Sequence, residues 1–172
     1  MASQMLYFIV LSLAILSCSW GYQQEENIVF YLRDIVSKPN ATAIVVAGAN
    51  GSTSIQNLDF GSVVVIDDFL TEMPGPSSTV VGRAKGFYAY SDVDANAVHM
   101  VFSLVFQNRK YNGSTLEFHG TLDILTRSSG SEVSVVGGTG KLRYARGYSI
   151  LTFQSDIGLD SIVEFNTSFR LD

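Results

Sequence analysis

Ser161-Ile-Val-Glu-Phe-Asn-Thr-Ser-Phe-Arg-Leu171 decides the fold. Successive side chains of an extended strand point to opposite sides, so Val163, Phe165, Thr167, Phe169 and Leu171 share one face. Ile162, Glu164, Asn166, Ser168 and Arg170 share the other. One face is apolar and the other mostly polar, the pattern of a half-buried antiparallel strand. No stretch after Gly21 sustains a 3.6-residue apolar period, and β-branched or aromatic runs recur between Gly, Pro, Asn and Ser clusters. The chain therefore reads as all-β, with strands expected near 28–35, 41–47, 62–67, 79–93, 98–107, 115–125, 132–136, 143–154 and 161–171.

Turn-forming stretches separate these segments: Gly48–Ser54, Met73–Ser78, Arg109–Gly113, Arg127–Ser131 and Gly137–Gly140. The first is expected to be the most mobile. Eight or nine short-linked strands must deal with their open edges, and closing the sheet on itself does so most completely, so a single antiparallel barrel is expected. Val98, Met100, Phe102, Leu104 and Phe106 lie opposite His99, Val101, Ser103 and Val105, which makes that strand apolar on both faces. Its outer face is expected either to be covered by self-association or to be sandwiched within the monomer.

Composition narrows the chemistry. The 172 residues are 47% hydrophobic and 16% charged, which suits one packed domain rather than a disordered chain. A net charge of −5 offers no basic footprint for a nucleic-acid backbone. One cysteine, Cys18, and two histidines, His99 and His119, cannot furnish the usual zinc, iron–sulfur or blue-copper ligand sets, so neither a metal nor a cofactor is expected. Gly137-Gly-Thr-Gly140 lacks the spacing and the Lys-Ser/Thr pair of a phosphate loop and reads as a tight turn. His99 and His119 read as strand side chains, and no Ser–His–Asp order is compelling.

Met5–Trp20 is apolar, and Ser19 and Gly21 occupy suitable −3 and −1 positions. Residues 1–21 are therefore expected to form a secretory signal peptide, and 22–172 the mature domain. Cleavage removes Cys18 and leaves an extracellular protein without disulfides or a membrane anchor. Asn-x-Ser/Thr sequons begin at Asn40, Asn50, Asn112 and Asn166, as in a secreted glycoprotein, although the same triplets also serve as turns.

The informative polar residues stand inside apolar strand segments: Asp34, Asp67, Asp68, Tyr88, Tyr90 and Asp123. A carboxyl group in an apolar cavity keeps its proton at higher pH and can donate it, while tyrosines beside it can stack on a flat aromatic guest. The alternative is that Asp67 and Asp68 start a turn and the tyrosines fill core.

From about Val29 to the C-terminus the sequence resembles the plant dirigent proteins. The resemblance rests on Phe30-Tyr-Leu-Arg-Asp34, Asn40-Ala-Thr42, Phe60-Gly61, Val65-Ile-Asp-Asp68, Gly82-Arg-Ala-Lys-Gly86 with Tyr88 and Tyr90, Tyr111-Asn-Gly-Ser-Thr115 and Ser134–Gly140 through Arg146-Gly-Tyr148. It implies a secreted, apoplastic, trimeric protein built on an eight-stranded antiparallel barrel. It also implies stereochemical control over the coupling of phenoxy radicals, as in lignan biosynthesis from coniferyl alcohol. A separate laccase or peroxidase performs the oxidation, so the chain itself needs no oxidative centre.

By the same resemblance, the phenolic ligand lies near Asp34, Asp67 or Asp68, Tyr88, Tyr90 and Asp123. Asp34, Asp68 and Asp123 are the candidate acids for a quinone-methide carbonyl. Arg33 stands where the family often has His, and Ser131 where it often has Arg, with Arg127 the candidate replacement. The missing cysteine pair aligns the chain with a branch that includes pterocarpan synthases, which act as lyases on an isoflavanol.

Overall fold

The computed structural model describes residues 25–37, 39–126 and 129–171. The expected signal segment 1–21 with Cys18, and Arg127, lie outside the described residues. Nine strands follow in chain order: β1 (Glu25–Asp34), β2 (Ala43–Ala47), β3 (Val63–Thr71), β4 (Val80–Tyr90), β5 (Ala97–Phe106), β6 (Thr115–Asp123), β7 (Ser131–Gly138), β8 (Ala145–Ile157) and β9 (Asp160–Leu171).

All neighbours are antiparallel, in the order β1-β9-β8-β7-β6-β5-β4-β3-β2. Pairing of β1 with β3, through Tyr31↔Thr71, Leu32↔Leu70 and Arg33↔Phe69, closes eight of these strands into a barrel. The ninth, β2, lies along the remaining length of the same β3 edge, from Ala43↔Ile66 to Ala47↔Val63. The β1–β2 connection thus lies beside the barrel wall at Asp34 and Asp68.

β1, β3, β7 and β8 each run beyond the expected bounds, and the extension of β3 positions the site. β3 does not stop at Asp67 but continues to Thr71, because Asp67 and Asp68 point to opposite sides and each finds a partner. Asp67 faces outward and pairs with Arg83 at 2.6 Å, while Asp68 faces inward and is fully buried. β6, by contrast, ends at Asp123. Its Oδ1 accepts the backbone N–H groups of Leu125, at 2.7 Å, and Thr126, which turns the chain.

Alternation places Val98, Met100, Phe102, Leu104 and Phe106 inside the barrel and Val101 on the exposed outer wall, rather than sandwiched within the monomer. The barrel interior is filled at one end only. Phe30 stacks on Phe165 with ring centroids 5.2 Å apart, Phe102 stacks on Phe118 at 5.3 Å, and Phe165 meets both of the latter edge-on at 5.8 Å. Leu104, Leu116, Leu142 and Phe169 complete this plug.

The inner wall of β4 is shaved to make room: a Cβ at Gly86 would lie 2.3 Å from the Val101 carbonyl oxygen and 2.6 Å from Cα and Cβ of Phe102. Gly86→Ala is therefore expected to destabilise the barrel by about 1–3 kcal/mol through overpacking. Phe165→Ala, which removes the ring shared by three aromatic contacts, is expected to cost about 3–5 kcal/mol. Urea unfolding checks both, and a midpoint unchanged from the parent in either variant would contradict this packing.

Candidate functional site

The other end of the barrel is hollow. A cavity of about 360 Å³ begins above the aromatic plug, within the range typical of small-molecule sites. Its walls alternate out of nearly every strand: Leu32 and Asp34 from β1, Ile66 and Asp68 from β3, Tyr88 and Tyr90 from β4, Val98 and Met100 from β5, Leu122 from β6, Leu151 and Phe153 from β8, and Val163 and Phe165 from β9. Ile55, Gln56 and Leu58, in and beside the short 3₁₀ turn Ile55–Asn57 that follows Gly48–Ser54, border it as well. Beside it, between β2 and the β8–β9 turn, a groove shares Val36, Ile55, Gln56 and Leu159 with the cavity.

Two carboxyl groups enter this apolar space. The Tyr88 hydroxyl donates to Asp34 Oδ2 at 3.1 Å, and the Thr42 hydroxyl donates to Asp68 Oδ1 at 2.5 Å. The remaining oxygens, Asp34 Oδ1 and Asp68 Oδ2, are buried and accept no hydrogen bond among the described residues. Buried carboxylates are expensive unless paired, so the environment favours the neutral form.

Burial pushes Asp34 up to about 6, the charge of Asp160 adds to the rise, and the Tyr88 hydrogen bond opposes it. Asp68 is pushed up to about 9, by burial first and then by the neighbouring Asp34, with the Thr42 hydrogen bond and Arg83 working the other way. Burial also raises the Tyr88 phenol, followed by the charge of Asp34, so Tyr88 is a permanent donor. At neutral pH the site therefore pairs a protonated acid with a largely ionised carboxylate. That is how unequal environments assign acid and base roles to two like groups.

The pattern known as Dirigent-like protein matches residues 25–169. The chain belongs to the dirigent family. It is 40% identical over 148 residues to Dirigent protein 1 of Arabidopsis thaliana, a match spanning 85% of this chain and 80% of that one. It is 37% identical over 150 residues to Pterocarpan synthase 1 of Glycyrrhiza echinata, spanning 85% and 79% respectively. The solved structure of a pterocarpan synthase dirigent protein superimposes with a TM-score of 0.78 at 33% identity, covering 87% of this chain and 86% of that one.

In this dirigent barrel Asp34, Asp68, Tyr88 and Tyr90 meet around one cavity, the two tyrosine rings 6.4 Å apart and tilted by 58°. Asp67 and Asp123 stand apart from it. Asp67 is on the outer wall with Arg83, whose guanidinium also lies 4.1 Å over the Phe69 ring, and Asp123 caps its turn between the cavity-lining Leu122 and Ile124. Arg33 reaches sideways to the carbonyls of Pro74, at 2.8 Å, and Gly75, so it pins the β3–β4 turn. Asn40, Asn50, Asn112 and Asn166 are all exposed.

Sequence reading did not single out Thr42 as a site residue, nor the wall formed by Leu151 and Phe153. The inner-face alternation of β5 already grouped Val98 with Met100, whereas the Thr42–Asp68 contact joins residues 26 apart through the β1–β2 connection and carries no local signal.

A carboxyl whose folded pKa stands above its unfolded value of about 4 holds its proton more tightly in the barrel than in the open chain. That contribution to stability is complete below about pH 4 and is lost as pH rises through about 6 for Asp34 and about 9 for Asp68. The melting temperature is thus expected to fall as pH is raised between these limits, and Asp68→Asn to remove most of the fall above pH 7. Calorimetry across pH checks this; a parent and variant with parallel profiles would contradict it.

Proposed function

We propose that this dirigent protein controls the stereochemistry of a phenolic quinone methide, and that it does so as a lyase on a closed-shell benzylic alcohol that carries an internal phenol. The observation that carries this reading is the Asp34–Asp68 pair, one acid and one base with free oxygens in an apolar cavity. Asp68 delivers its proton to the benzylic hydroxyl, the C–O bond breaks with its electrons, and water leaves. The ring phenol gives its proton to Asp34, which leaves a neutral quinone methide.

The internal phenol oxygen then attacks the methide carbon and passes its proton to Asp68, while Asp34 returns its proton to the carbonyl oxygen. Both carboxyls are restored, and the net change is loss of water. Tyr88 and Tyr90 hold the planar intermediate so that one face meets the nucleophile. Tenfold selectivity needs only about 1.4 kcal/mol between competing transition states, within reach of cavity shape.

A second reading, phenoxy-radical coupling of coniferyl-alcohol type with an external laccase or peroxidase, is supported by membership of the dirigent family and by the same tyrosine-lined cavity. We further propose secretion to the apoplast and assembly as a homotrimer. Support for assembly comes from a register row of exposed apolar side chains, Ile44, Val65, Phe87 and Val101, across the outer wall of β2 to β5.

Purified protein with an isoflavanol and no oxidant is expected to release water and one cyclic enantiomer, and Asp68→Asn to lower the rate about 10²-fold or more, the usual worth of a positioned acid. Chiral chromatography decides. Absence of turnover on isoflavanols, together with an enantiomeric excess from coniferyl alcohol plus laccase, would overturn the lyase reading in favour of the second.

A further inference from the structure

We infer that Thr42 is a positioning residue that fixes the acid proton of Asp68 on Oδ2, the oxygen left free in the cavity. A threonine hydroxyl has one proton to donate and can accept in return. Thr42 Oγ1 accepts the backbone N–H of Ile35 at 3.2 Å and lies 2.5 Å from Asp68 Oδ1, whereas its other acceptor, the Arg33 carbonyl, is at the 3.5 Å limit. The single hydroxyl proton therefore goes to Oδ1. An oxygen that already accepts this proton at 2.5 Å has no room for one of its own on that side, so neutral Asp68 carries its proton on Oδ2.

The hydroxyl is itself held in place by backbone pairing on both sides. Thr42 N–H donates to the Ile35 carbonyl at 2.7 Å, and the Thr42 carbonyl accepts Asp67 N–H at 2.8 Å. Thr42 is thus locked to Ile35, the residue after Asp34 at the end of β1, and to Asp67, the residue before Asp68 in β3. The charged and titratable groups acting on Asp68 are Asp34 from β1, Asp67 from its own strand, and Tyr88 and Arg83 from β4. None of these groups makes its hydrogen bond to Oδ1: Arg83 donates to Asp67 and Tyr88 to Asp34, whereas the Thr42 hydroxyl donates to Asp68 Oδ1 and leaves Oδ2 unbonded among the described residues.

The same hydroxyl completes the sequon Asn40-Ala-Thr42, which the enzyme that attaches N-glycans reads through the residue two positions after the asparagine. Substituting Thr42 therefore removes a potential glycan as well as the Asp68 contact, and Asn40 must be varied separately. Asn40→Gln removes the sequon and keeps the hydroxyl, Thr42→Ser keeps both, and Thr42→Val removes both at nearly constant volume.

The inference rests on the acid role proposed for Asp68, but its primary readouts need no substrate. Neutron diffraction from deuterated crystals near neutral pH is expected to show a deuteron on Asp68 Oδ2. The ¹³C-carboxyl titration of Asp68 is expected to match the parent in Asn40→Gln and Thr42→Ser and to move up by about one pH unit in Thr42→Val, since a hydrogen bond to the charged form is lost. The alkaline limb of the dehydration rate is expected to move with it, with a loss of about tenfold in rate.

A deuteron on Oδ1, a Thr42→Val titration identical to that of Asn40→Gln, or a Thr42→Ser variant that behaves like Thr42→Val would each overturn the assignment. Should Thr42→Val fail to fold, the neutron map and the Thr42→Ser titration still decide. The expected deuteron and titration shift without turnover of any phenol would uphold the role of Thr42 while refuting the lyase.

Discussion

Two carboxyl groups share an apolar hollow, and the rest of the site depends on the energetic conflict this creates. Among the described residues, neither Asp34 nor Asp68 has a cationic partner inside the cavity. Arg83 acts on Asp68 only from the outer wall, through its pairing with Asp67. With both groups withdrawn from bulk solvent and like charges close together, the least costly state keeps a proton on the fully buried Asp68. That destabilises the folded chain as pH rises, yet it maintains a neutral acid at neutral pH beside an ionised neighbour. Stability given up at a site in exchange for chemical poise is a recurrent arrangement in binding pockets.

The barrel tolerates the conflict because its two ends are built differently. Stacked and edge-on phenylalanines fill one end, fixing the strands that reach the other end. Above the plug the inner-facing residues are Leu, Val, Met and Tyr spaced around a space they do not fill. Closure through β1 and β3 brings the two carboxyls together, since Asp34 sits one residue beyond the paired Arg33 and Asp68 one residue before its partner Phe69. A single change of register would turn one of them outward.

Much of this was legible in the chain. The alternation in 161–171 identifies inner and outer faces correctly, that in 98–106 groups the residues of each face without telling which is inner, and the turn clusters fall between strands except that β7 runs on through Gly137 and Gly138. What the local pattern left open was the pair Asp67-Asp68, and what it misplaced was Asp123. Asp67-Asp68 looks like the start of a turn because each is a poor strand residue, but tertiary partners on opposite faces carry β3 through to Thr71. Asp123 looks like a charge held within a strand, yet it ends one, since its carboxylate finds backbone N–H groups two and three residues ahead. The Thr42–Asp68 bond was out of reach because it depends on β1 and β2 both lying against one edge of β3, a feature of closure rather than of local pattern.

The most direct test is the ionisation state of Asp68 itself, followed by ¹³C-carboxyl NMR in protein labelled at aspartate, with Asp68→Asn used to assign the signal. A carboxyl that stays neutral through pH 7 and titrates near 9 would sustain the acid role, with Asp34 titrating near 6. A signal already ionised at pH 5, near the ordinary carboxylate value of about 4, would contradict it.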